Sequence, residues 1–355
     1  MKQIEFLDKN GTFRINNPEN YSGLYLPLAG ESGLKSSITP LSGGDSKTDQ
    51  NHFLLEPVSI ENLHNNRNTR NFWCRIEGKG CWSACGSSAV QEADRFTQQQ
   101  EDTILEAGFM WQSVCRTSEK YGMQSEITSF VTVDGNIEIM LVKLTNIGEK
   151  EIELTPVAAI PVYGRSADNI RDHRHVTSLL HRIDTREYGV EVTPVLSFDE
   201  RGHQKNHTTY FVYGSEEDGR APQEFYPTVE QFIGEGGSYL NPEAVRTEKR
   251  GFPSGSRIQG KEAVGGIRFQ TMKLKPQETK SYIVLAGLTE KKEQIEKQTA
   301  AYRTKEQVED ALSEVKEHWT KKVNVDFETG EKDVDQYLKW ICFQPILRRI
   351  YGWSF

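Results

Sequence analysis

One short stretch concentrates the side chains of this sequence that could do chemistry. Residues 168–182 carry three of the eight histidines together with three arginines. If the stretch is a strand, His173 and His175 face one way, because side chains alternate along a strand. Asp172 and Arg174 then face the other way. Such a surface suits sugar hydroxyls or a phosphate. An ion-pair ladder in solvent explains the spacing slightly better, and a metal site is the weakest alternative because the two histidines lack a third ligand.

The Gly- and Ser-rich run at residues 26–57 has the composition of a phosphate-binding loop but not its pattern. It contains no Gly-Lys-Ser/Thr sequence, and it shows no change from strand to helix, which such a loop requires. We therefore expect this run to order a long irregular excursion across the sheet.

The cysteines and tryptophans are better explained by packing than by chemistry. Cys74, Cys81 and Cys85 are not followed by a second closely spaced pair, so buried thiols are favoured over a zinc knuckle. The same part of the chain contains the large aromatic residues Trp73, Trp82 and Trp111. They could form a stacking platform for a sugar ring, but in a β-sandwich such residues more often belong to the core.

The elements that must position these side chains are mostly strands. Alternating runs at residues 126–133 and 136–145 flank Asp134-Gly135, which is the strongest short hairpin signal. Further strand-like runs occur at residues 152–160, 189–198, 208–213, 267–274 and 281–288. Strands and helices do not alternate, so the sequence predicts a many-stranded antiparallel sandwich and not a parallel sheet.

The pattern changes from strand to helix at about Thr289. Residues 289–322 contain neither Pro nor Gly, and their apolar residues repeat at helical spacing as far as Trp319. Thr304 and Gln307 are spaced as a capping box, which predicts the start of the second of two helices.

A further helix is predicted from Asp333 onward. Pro345 should kink or end it, because proline lacks the N–H that continues a helix. Its apolar face is predicted to consist of Val334, Leu338, Ile341 and Cys342. The last ten residues are apolar, aromatic and basic, whereas a natural carboxyl terminus is usually polar and loosely held. We therefore expect the chain to be truncated.

Composition narrows the class of protein. The 355 residues are 36% hydrophobic and 26% charged, which is typical of a globular chain with one large domain or two. A net charge of −8 argues against nucleic acid and anionic membrane as partners. No signal-peptide pattern or apolar run of about 18 residues occurs. Five cysteines are an odd number, so a reducing, cytoplasmic location is expected.

Several stretches, in order over nearly the whole chain, carry a family resemblance. They are residues 33–40, 44–47, 50–54, 63–73, 82–83, 126–130, 171–182 and 340–355, the last containing Phe343-Gln344-Pro345-Ile346-Leu347. In these stretches the chain resembles glycoside hydrolase family 94, formerly glycosyltransferase family 36. The members it resembles are the cellobiose and β-1,2-oligoglucan phosphorylases.

The resemblance implies a mainly β architecture in three parts. Residues 1–288 are expected to form an antiparallel β super-sandwich of the galactose-mutarotase type. Residues 289–322 are expected to form a helical linker, and residues 323–355 the first helix of a truncated (α/α)6 catalytic barrel.

The resemblance also implies a function. Family members transfer a glucosyl unit from a β-glucoside to inorganic phosphate with inversion, which gives α-glucose 1-phosphate. One Asp in the barrel is the general acid and phosphate is the nucleophile. The matching stretches include neither this Asp nor the phosphate site, so no catalytic residue is assigned and the chain is expected to be inactive alone. A freestanding carbohydrate-binding or dimerisation module is the alternative.

Family members are commonly homodimers in which the sandwich of one subunit borders the active site of the other. On that basis the substrate-binding residues are predicted to be Arg165, Arg171, Asp172, His173, Arg174 and His175. The expected partners are a β-gluco-oligosaccharide and a second copy of the chain, without nucleic acid or membrane. No metal or other cofactor is expected, apart from inorganic phosphate as co-substrate.

Overall fold

A computed structural model describes residues 4–21, 23–58, 69–199, 202–247 and 249–352. The strands in this part of the chain are β1 (Glu5–Phe6), β2 (Phe13–Asn16), β3 (Leu26–Ala29), β4 (Lys35–Ile38), β5 (Ser46–Asp49), β6 (His52–Leu55), β7 (Asn71–Ile76), β8 (Gly80–Ser83), β9 (Asp102–Gly108), β10 (Trp111–Ser118), β11 (Met123–Val131), β12 (Ile137–Asn146), β13 (Ile152–Val162), β14 (His181–Thr185), β15 (Gly189–Pro194), β16 (Leu196–Asp199), β17 (Gly202–Lys205), β18 (Thr209–Glu216), β19 (Glu224–Thr228), β20 (Arg257–Gln259), β21 (Ala263–Arg268), β22 (Met272–Leu274) and β23 (Thr279–Thr289). The α-helices are α1 (Ala89–Asp94), α2 (Arg174–Ser178), α3 (Val229–Ile233), α4 (Glu243–Arg246), α5 (Ile295–Ala300), α6 (Lys305–Lys322) and α7 (Lys332–Tyr351). Short 3-10 helices span Pro18–Asn20, Ala167–Arg171 and Lys292–Gln294.

The strands form four sheets, and the paired strands run antiparallel. An eleven-stranded sheet has the order β1-β2-β9-β10-β11-β12-β23-β18-β15-β14-β20. A six-stranded sheet has the order β19-β21-β13-β7-β8, with β22 added beside β13. The two smaller sheets are β3-β4-β5-β6 and β16-β17. The mainly β, antiparallel sandwich that the sequence predicts is therefore confirmed.

Strand β12 shows how the sequence builds layers on both sides of the large sheet. It pairs with β11 as the hairpin signal predicts, with Ile127 opposite Val142. Ile139 and Leu141 enter the apolar cluster that includes α6 and α7, whereas Val142 and Leu144 enter the cluster shared with the six-stranded sheet. Because successive residues of a strand face opposite sides, both faces of the eleven-stranded sheet are buried.

Three apolar clusters hold the layers together. Phe72 and Ile160 of the six-stranded sheet pack in the cluster between the two large sheets. Trp319 of α6 and Phe343 of α7 pack on the other face of the eleven-stranded sheet. Phe232 of α3 packs on the outer face of the six-stranded sheet. The order of the layers is therefore helices, sheet, sheet, helices.

Helix α6 begins as the sequence predicts. The Gln307 main-chain N–H donates to Thr304 Oγ1 at 3.3 Å, and the Thr304 N–H donates to Gln307 Oε1 at 3.0 Å. This reciprocal arrangement satisfies two N–H groups that the first turn of a helix leaves unpaired. The predicted capping box is therefore confirmed.

Pro345 was predicted to kink or end the last helix, and the second alternative is wrong, because α7 continues to Tyr351. Pro345 and Ile341 are both exposed, so water can satisfy the Ile341 carbonyl that proline leaves without a donor. The predicted apolar face is right only in part. Cys342 packs against the core, whereas Val334 and Ile341 are exposed, and the buried side carries Lys339 and Phe343. Lys339 takes a core-facing position because its ammonium donates to the Lys9 carbonyl at 3.0 Å.

Residues 26–57 do not form the irregular excursion that we expected. They form strands β3 to β6, which make a four-stranded antiparallel sheet. Its buried positions include serines, and the hydroxyl oxygens of Ser36 and Ser46 are hydrogen-bonded 2.8 Å apart. Small polar residues on the buried face hide the apolar alternation by which a strand is recognised.

Two predicted strands are each divided in the structure. The run at residues 267–274 ends β21 and forms β22, and between them the Phe269 ring stacks on Phe72 and packs at a tilt against Tyr282. The run at residues 189–198 forms β15 and most of β16. Pro194 ends β15, because proline has no N–H to donate to a neighbouring strand.

A buried ion pair connects three of the sheets. Arg70, just before β7, donates through Nε and Nη2 to the Glu138 carboxylate of β12, the second bond measuring 3.0 Å. Arg70 Nη2 also donates to the Asp45 carbonyl at 3.1 Å, and Ser36 Oγ donates to Glu138 at 2.5 Å. Both charged side chains are at most 3% exposed. The pair therefore joins the six-stranded, eleven-stranded and four-stranded sheets.

Replacing one member of this pair should be far more costly than replacing both. Arg70→Met leaves the Glu138 charge buried and uncompensated, and should lower the free energy of unfolding by about 3–5 kcal/mol, while Arg70→Met/Glu138→Met should recover much of that loss. Urea unfolding provides the measurement. The control is Lys143→Met, whose partly exposed ion pair with Glu126 should contribute only about 0.2–1 kcal/mol. Equal losses for Arg70→Met and Lys143→Met would contradict the role of the buried pair.

Candidate functional site

The base of the predicted sugar-binding segment is fixed at the end of β13. The Tyr163 N–H donates to the Leu54 carbonyl at 2.8 Å, and the Gly164 N–H donates to the Phe53 carbonyl at 3.0 Å. The Phe53 N–H in turn donates to the Arg165 carbonyl at 3.0 Å. Gly164 has a left-handed backbone conformation with φ of +63°, which glycine adopts without steric cost. The main chain of Arg165 is thereby held against β6.

Arg165, the first of the predicted site residues, lies beneath the surface. Its side chain is buried, and its Nη2 donates to Glu262 Oε2 at 2.8 Å. The guanidinium also lies over the Tyr163 ring, with its carbon 5.2 Å from the ring centroid, which is within the range of a cation–π contact. Burial raises the pKa of the Tyr163 hydroxyl. Arg165 is therefore a structural base of the segment and not an exposed ligand.

The segment after Arg165 is not the strand that we considered. It forms the 3-10 helix Ala167–Arg171 followed by α2. Ser166 Oγ accepts a hydrogen bond from the Asp168 N–H at 3.3 Å, and Asn169 Nδ2 donates to Asp172 Oδ2 at 2.8 Å. Such local side-chain bonds compete with strand pairing. We call residues 166–180 the crest loop.

The other predicted site residues all lie on the crest loop, but the structure describes the side chains of only two of them. Asp172 and His173 are exposed to solvent. For Arg171, Arg174 and His175 the structure describes the main chain, and their side chains lie outside what it describes. The alternating faces that a strand would have given to these residues do not exist, because the main chain here is helical.

His181 is a member of this region that the sequence did not single out as a site residue. It begins β14 and is fully buried, and neither ring nitrogen has a hydrogen-bonding partner among the described residues. Burial and then the positive charge of Arg165 lower the pKa of His181 to about 3. The Lys261 main chain opposes this shift slightly, although it does not reach hydrogen-bonding geometry. The ring is therefore neutral at physiological pH.

A small cavity separates the crest loop from this base. Its volume is about 10 Å³, and its lining includes Arg165, Asn169, Thr177 and His181. That volume corresponds to about one water molecule, so a sugar ring cannot enter. Contact with a substrate in this region must therefore use the outer side of the crest loop, where Asp172 and His173 are exposed.

The other candidate groups belong to the core. Cys74 and Cys85 are buried, and burial raises the pKa of the Cys85 thiol to about 11. The indoles of Trp73 and Trp82 are buried as well, so neither offers a face to a sugar. Among the residues that the structure describes, His, Cys, Asp and Glu side chains form no group of three that could hold a metal. No helix in the same ranges has the length and apolar character needed to cross a membrane.

Comparison with known families identifies the sandwich. A family model described as "Glycosyl hydrolase 94, supersandwich domain" matches residues 30–305. The chain belongs to glycosyl hydrolase family 94. The match spans β4 to β23 and reaches the start of α6, so this family 94 chain carries the supersandwich domain of a carbohydrate-active enzyme family.

Solved structures resemble the family 94 chain only distantly. A bacterial glucoamylase complexed with acarbose is 8% identical, with 89% of this chain and 41% of the other covered and a TM-score of 0.46. A family 92 alpha-mannosidase from Bacteroides thetaiotaomicron in complex with mannoimidazole is 12% identical, with 91% and 38% covered and a TM-score of 0.45. The chain thus spans about two fifths of the length of each. No curated protein matches it.

The buried neutral histidine predicts a specific dependence of stability on pH. Because the pKa of His181 is about 3 in the folded chain and about 6.5 when unfolded, the unfolded chain takes up the proton first as pH falls. Above pH 6.5 the ring is neutral in both states, and His181 does not lower the free energy of unfolding. As the pH falls from 6.5 toward 3, the free energy of unfolding decreases. Between pH 7.5 and pH 5 the loss should amount to about 2 kcal/mol.

Urea unfolding of the wild type and of His181→Gln at these two pH values measures that loss. The variant should show a smaller decrease in the free energy of unfolding between them. The matched control is His207→Gln, because His207 is exposed and its replacement should leave the wild-type decrease unchanged. Parallel pH profiles for the wild type and His181→Gln would contradict the assignment.

Proposed function

We propose that this chain is the substrate-framing domain of an inverting glycoside phosphorylase. The reaction of such an enzyme converts a β-gluco-oligosaccharide and inorganic phosphate into α-glucose 1-phosphate and a shortened sugar. Membership of family 94 over residues 30–305 supports the proposal. In this proposal the enzyme is cytoplasmic and needs no cofactor, because phosphate is its co-substrate.

The main support for the proposal is the structure of the crest loop. Its base is rigid, since Arg165 is buried in an ion pair with Glu262 at 2.8 Å. Its outer side exposes Asp172 and His173. A carboxylate accepts hydrogen bonds and an imidazole both donates and accepts them, so together they can bind sugar hydroxyls. A rigid base that presents a few polar groups is how loops commonly position a substrate.

The crest loop also suits contact with a second subunit. It exposes the apolar side chains of Val176 and Leu179, which are 53% and 59% accessible to solvent, beside its polar groups. Apolar side chains close to polar ones are typical of surfaces that other proteins cover. We therefore propose a homodimer in which the crest loop of one subunit borders the active site of its partner.

The residues of this chain then bind and orient the sugar, and they do not supply the proton. An inverting phosphorolysis needs one general acid at the glycosidic oxygen, while phosphate attacks the anomeric carbon from the opposite face. Asp172 accepts a hydrogen bond from Asn169 and has a binding role in this proposal. Holding the sugar in place contributes to rate by reducing the entropy lost on reaching the transition state.

Isothermal titration of the chain with sophoro-, laminari- and cello-oligosaccharides tests this proposal. We expect saturable binding to one linkage, without formation of glucose 1-phosphate when phosphate is added. Asp172→Ala/His173→Ala should weaken binding about ten-fold, which corresponds to about 1.4 kcal/mol.

The matched control replaces an acid and a histidine elsewhere. Glu187 and His207 are exposed outside the crest loop, so Glu187→Ala/His207→Ala should bind as tightly as the wild type. Undiminished binding by the crest-loop variant, or no binding by the wild type, would contradict the framing role. Turnover by the chain alone would contradict the proposal that its residues bind the sugar without supplying the proton.

A further inference from the structure

A larger opening lies elsewhere on the molecule. It is a cleft of about 520 Å³ between α1, the chain that leads from α1 into β9, and the turn between β10 and β11. Its volume falls in the range of about 300–1,000 Å³ that is usual for small-molecule sites. The cleft shares no lining residue with the cavity beneath the crest loop, so it is a separate site.

The floor of the cleft is built around a buried arginine. Arg116 is paired with the Glu19 carboxylate, and its Nη1 lies 3.4 Å from Glu101 Oε2. Trp82 Nε1 donates to Glu101 Oε1 at 2.8 Å. A Cβ at Gly86, where φ is +79°, would lie 2.3 Å from the Arg116 guanidinium carbon. A larger residue here would displace the paired guanidinium, and the positive φ favours glycine, so the floor packs closely around Arg116.

Two buried polar atoms beside this floor have hydrogen-bonding capacity that the described residues do not use. They are Arg116 Nε and Ser118 Oγ, and both residues line the cleft. Buried polar groups in proteins are nearly always hydrogen-bonded. The Arg116 nitrogen can only donate, whereas the Ser118 hydroxyl can donate and accept. Both atoms are fully buried, so a ligand in the cleft would contact the groups that cover them and not these atoms themselves.

The rim of the cleft carries amides, and an exposed aromatic residue lies next to it in the chain. Its lining includes Gln91, Gln98, Gln99 and Gln100. The Gln91 amide is used within the protein, because its Nε2 donates to the Ser83 carbonyl at 2.9 Å and to Glu101 Oε2 at 2.8 Å. The exposed amides of Gln98 and Gln99 can both donate to a ligand and accept from it. Phe96 lies between lining residues of this rim and is 71% exposed, with a left-handed φ of 64°. Phenylalanine rarely adopts this conformation. The Phe96 N–H donates to Gln100 Oε1 at 2.9 Å, which holds the turn and keeps the ring in solvent.

The charges around the cleft select the class of ligand. Its lining contains five acidic and three basic side chains, which disfavours a phosphate or another anion. It contains neither His nor Cys, and the amides suit a neutral polar molecule. The apolar face of a sugar ring can pack on the exposed Phe96 ring while its hydroxyls reach the amides and carboxylates.

We propose that this cleft is a second carbohydrate-binding site, which takes a neutral gluco-oligosaccharide independently of the crest loop. The sugar packs on Phe96 and is hydrogen-bonded by Gln98 and Gln99 of the rim. The carboxylate of Glu101, held by Trp82 and Arg116, accepts hydrogen bonds from sugar hydroxyls at the floor.

Hydrogen–deuterium exchange of the whole chain with cello-, laminari- and sophoro-tetraose at millimolar concentration locates the bound sugar. One of these probes should slow exchange in peptides covering residues 89–102 and 116–121. This slowing should persist in Asp172→Ala/His173→Ala, so failure of the crest-loop proposal and failure of this one are distinguishable.

Variants at the rim test the residues. Phe96→Ala/Gln98→Ala replaces side chains that are exposed, so the fold should be retained, as thermal unfolding will show. In the Asp172→Ala/His173→Ala background it should weaken the remaining binding about ten-fold. The control Glu92→Ala changes an exposed residue of α1 that does not line the cleft, and should bind normally. Unchanged affinity in the rim variant, protection confined to residues 166–180, or no protection by any probe would overturn the proposal.

Discussion

The arrangement of the sheets depends on the buried ion pair between Arg70 and Glu138. Two charges are buried at the point where three sheets meet, and main-chain and hydroxyl groups of residues 36–45 complete their hydrogen bonding. Burying the pair is favourable only when that set of bonds is nearly complete. Its geometry therefore tolerates few relative positions of the sheets. Apolar packing between the layers, by contrast, is roughly indifferent to direction.

The region of the crest loop and the cleft follow the same design. Each has a buried arginine paired with a carboxylate, Arg165 with Glu262 and Arg116 with Glu19. In each, a glycine with positive φ lies next to the arginine or approaches it closely, namely Gly164 and Gly86. The rigid pair lies in the sandwich, and short helical segments above it carry the exposed polar groups. Variation of these segments can change the exposed polar groups without disturbing the core.

The parts of the fold that the sequence predicts are those with strong local signals. The hairpin at Asp134-Gly135 and the capping box at Thr304 depend on residues that are neighbours in the chain. The family resemblance, carried by stretches spread along the chain, predicted the super-sandwich itself. The sheet β3–β6 was not predicted because its inward positions include hydroxyl groups that satisfy one another. The course of α7 past Pro345 was not predicted because it depends on which side of the helix meets solvent.

The sequence predicted even less of the candidate sites than of the fold. The crest loop was found because its charged residues are consecutive, but its helical form depends on bonds from Ser166 and Asn169 that spacing does not reveal. The floor of the cleft combines Glu19, Gly86 and Arg116, which are far apart in the sequence. Only the pairing of β9 with β10 and the packing around Arg116 bring such residues together. Spacing alone could not have predicted this cleft.

The edges of the eleven-stranded sheet restrict how copies of the chain can associate. Its outermost strands, β1 and β20, are only two and three residues long. So short an edge presents few main-chain groups to a strand from another molecule, and this is a common protection against edge-to-edge aggregation. Joining two such sheets into one continuous sheet is therefore unfavourable. An assembly of copies then depends on other surfaces, such as side chains on loops and helices, and a change of partner there requires no change at these two edges.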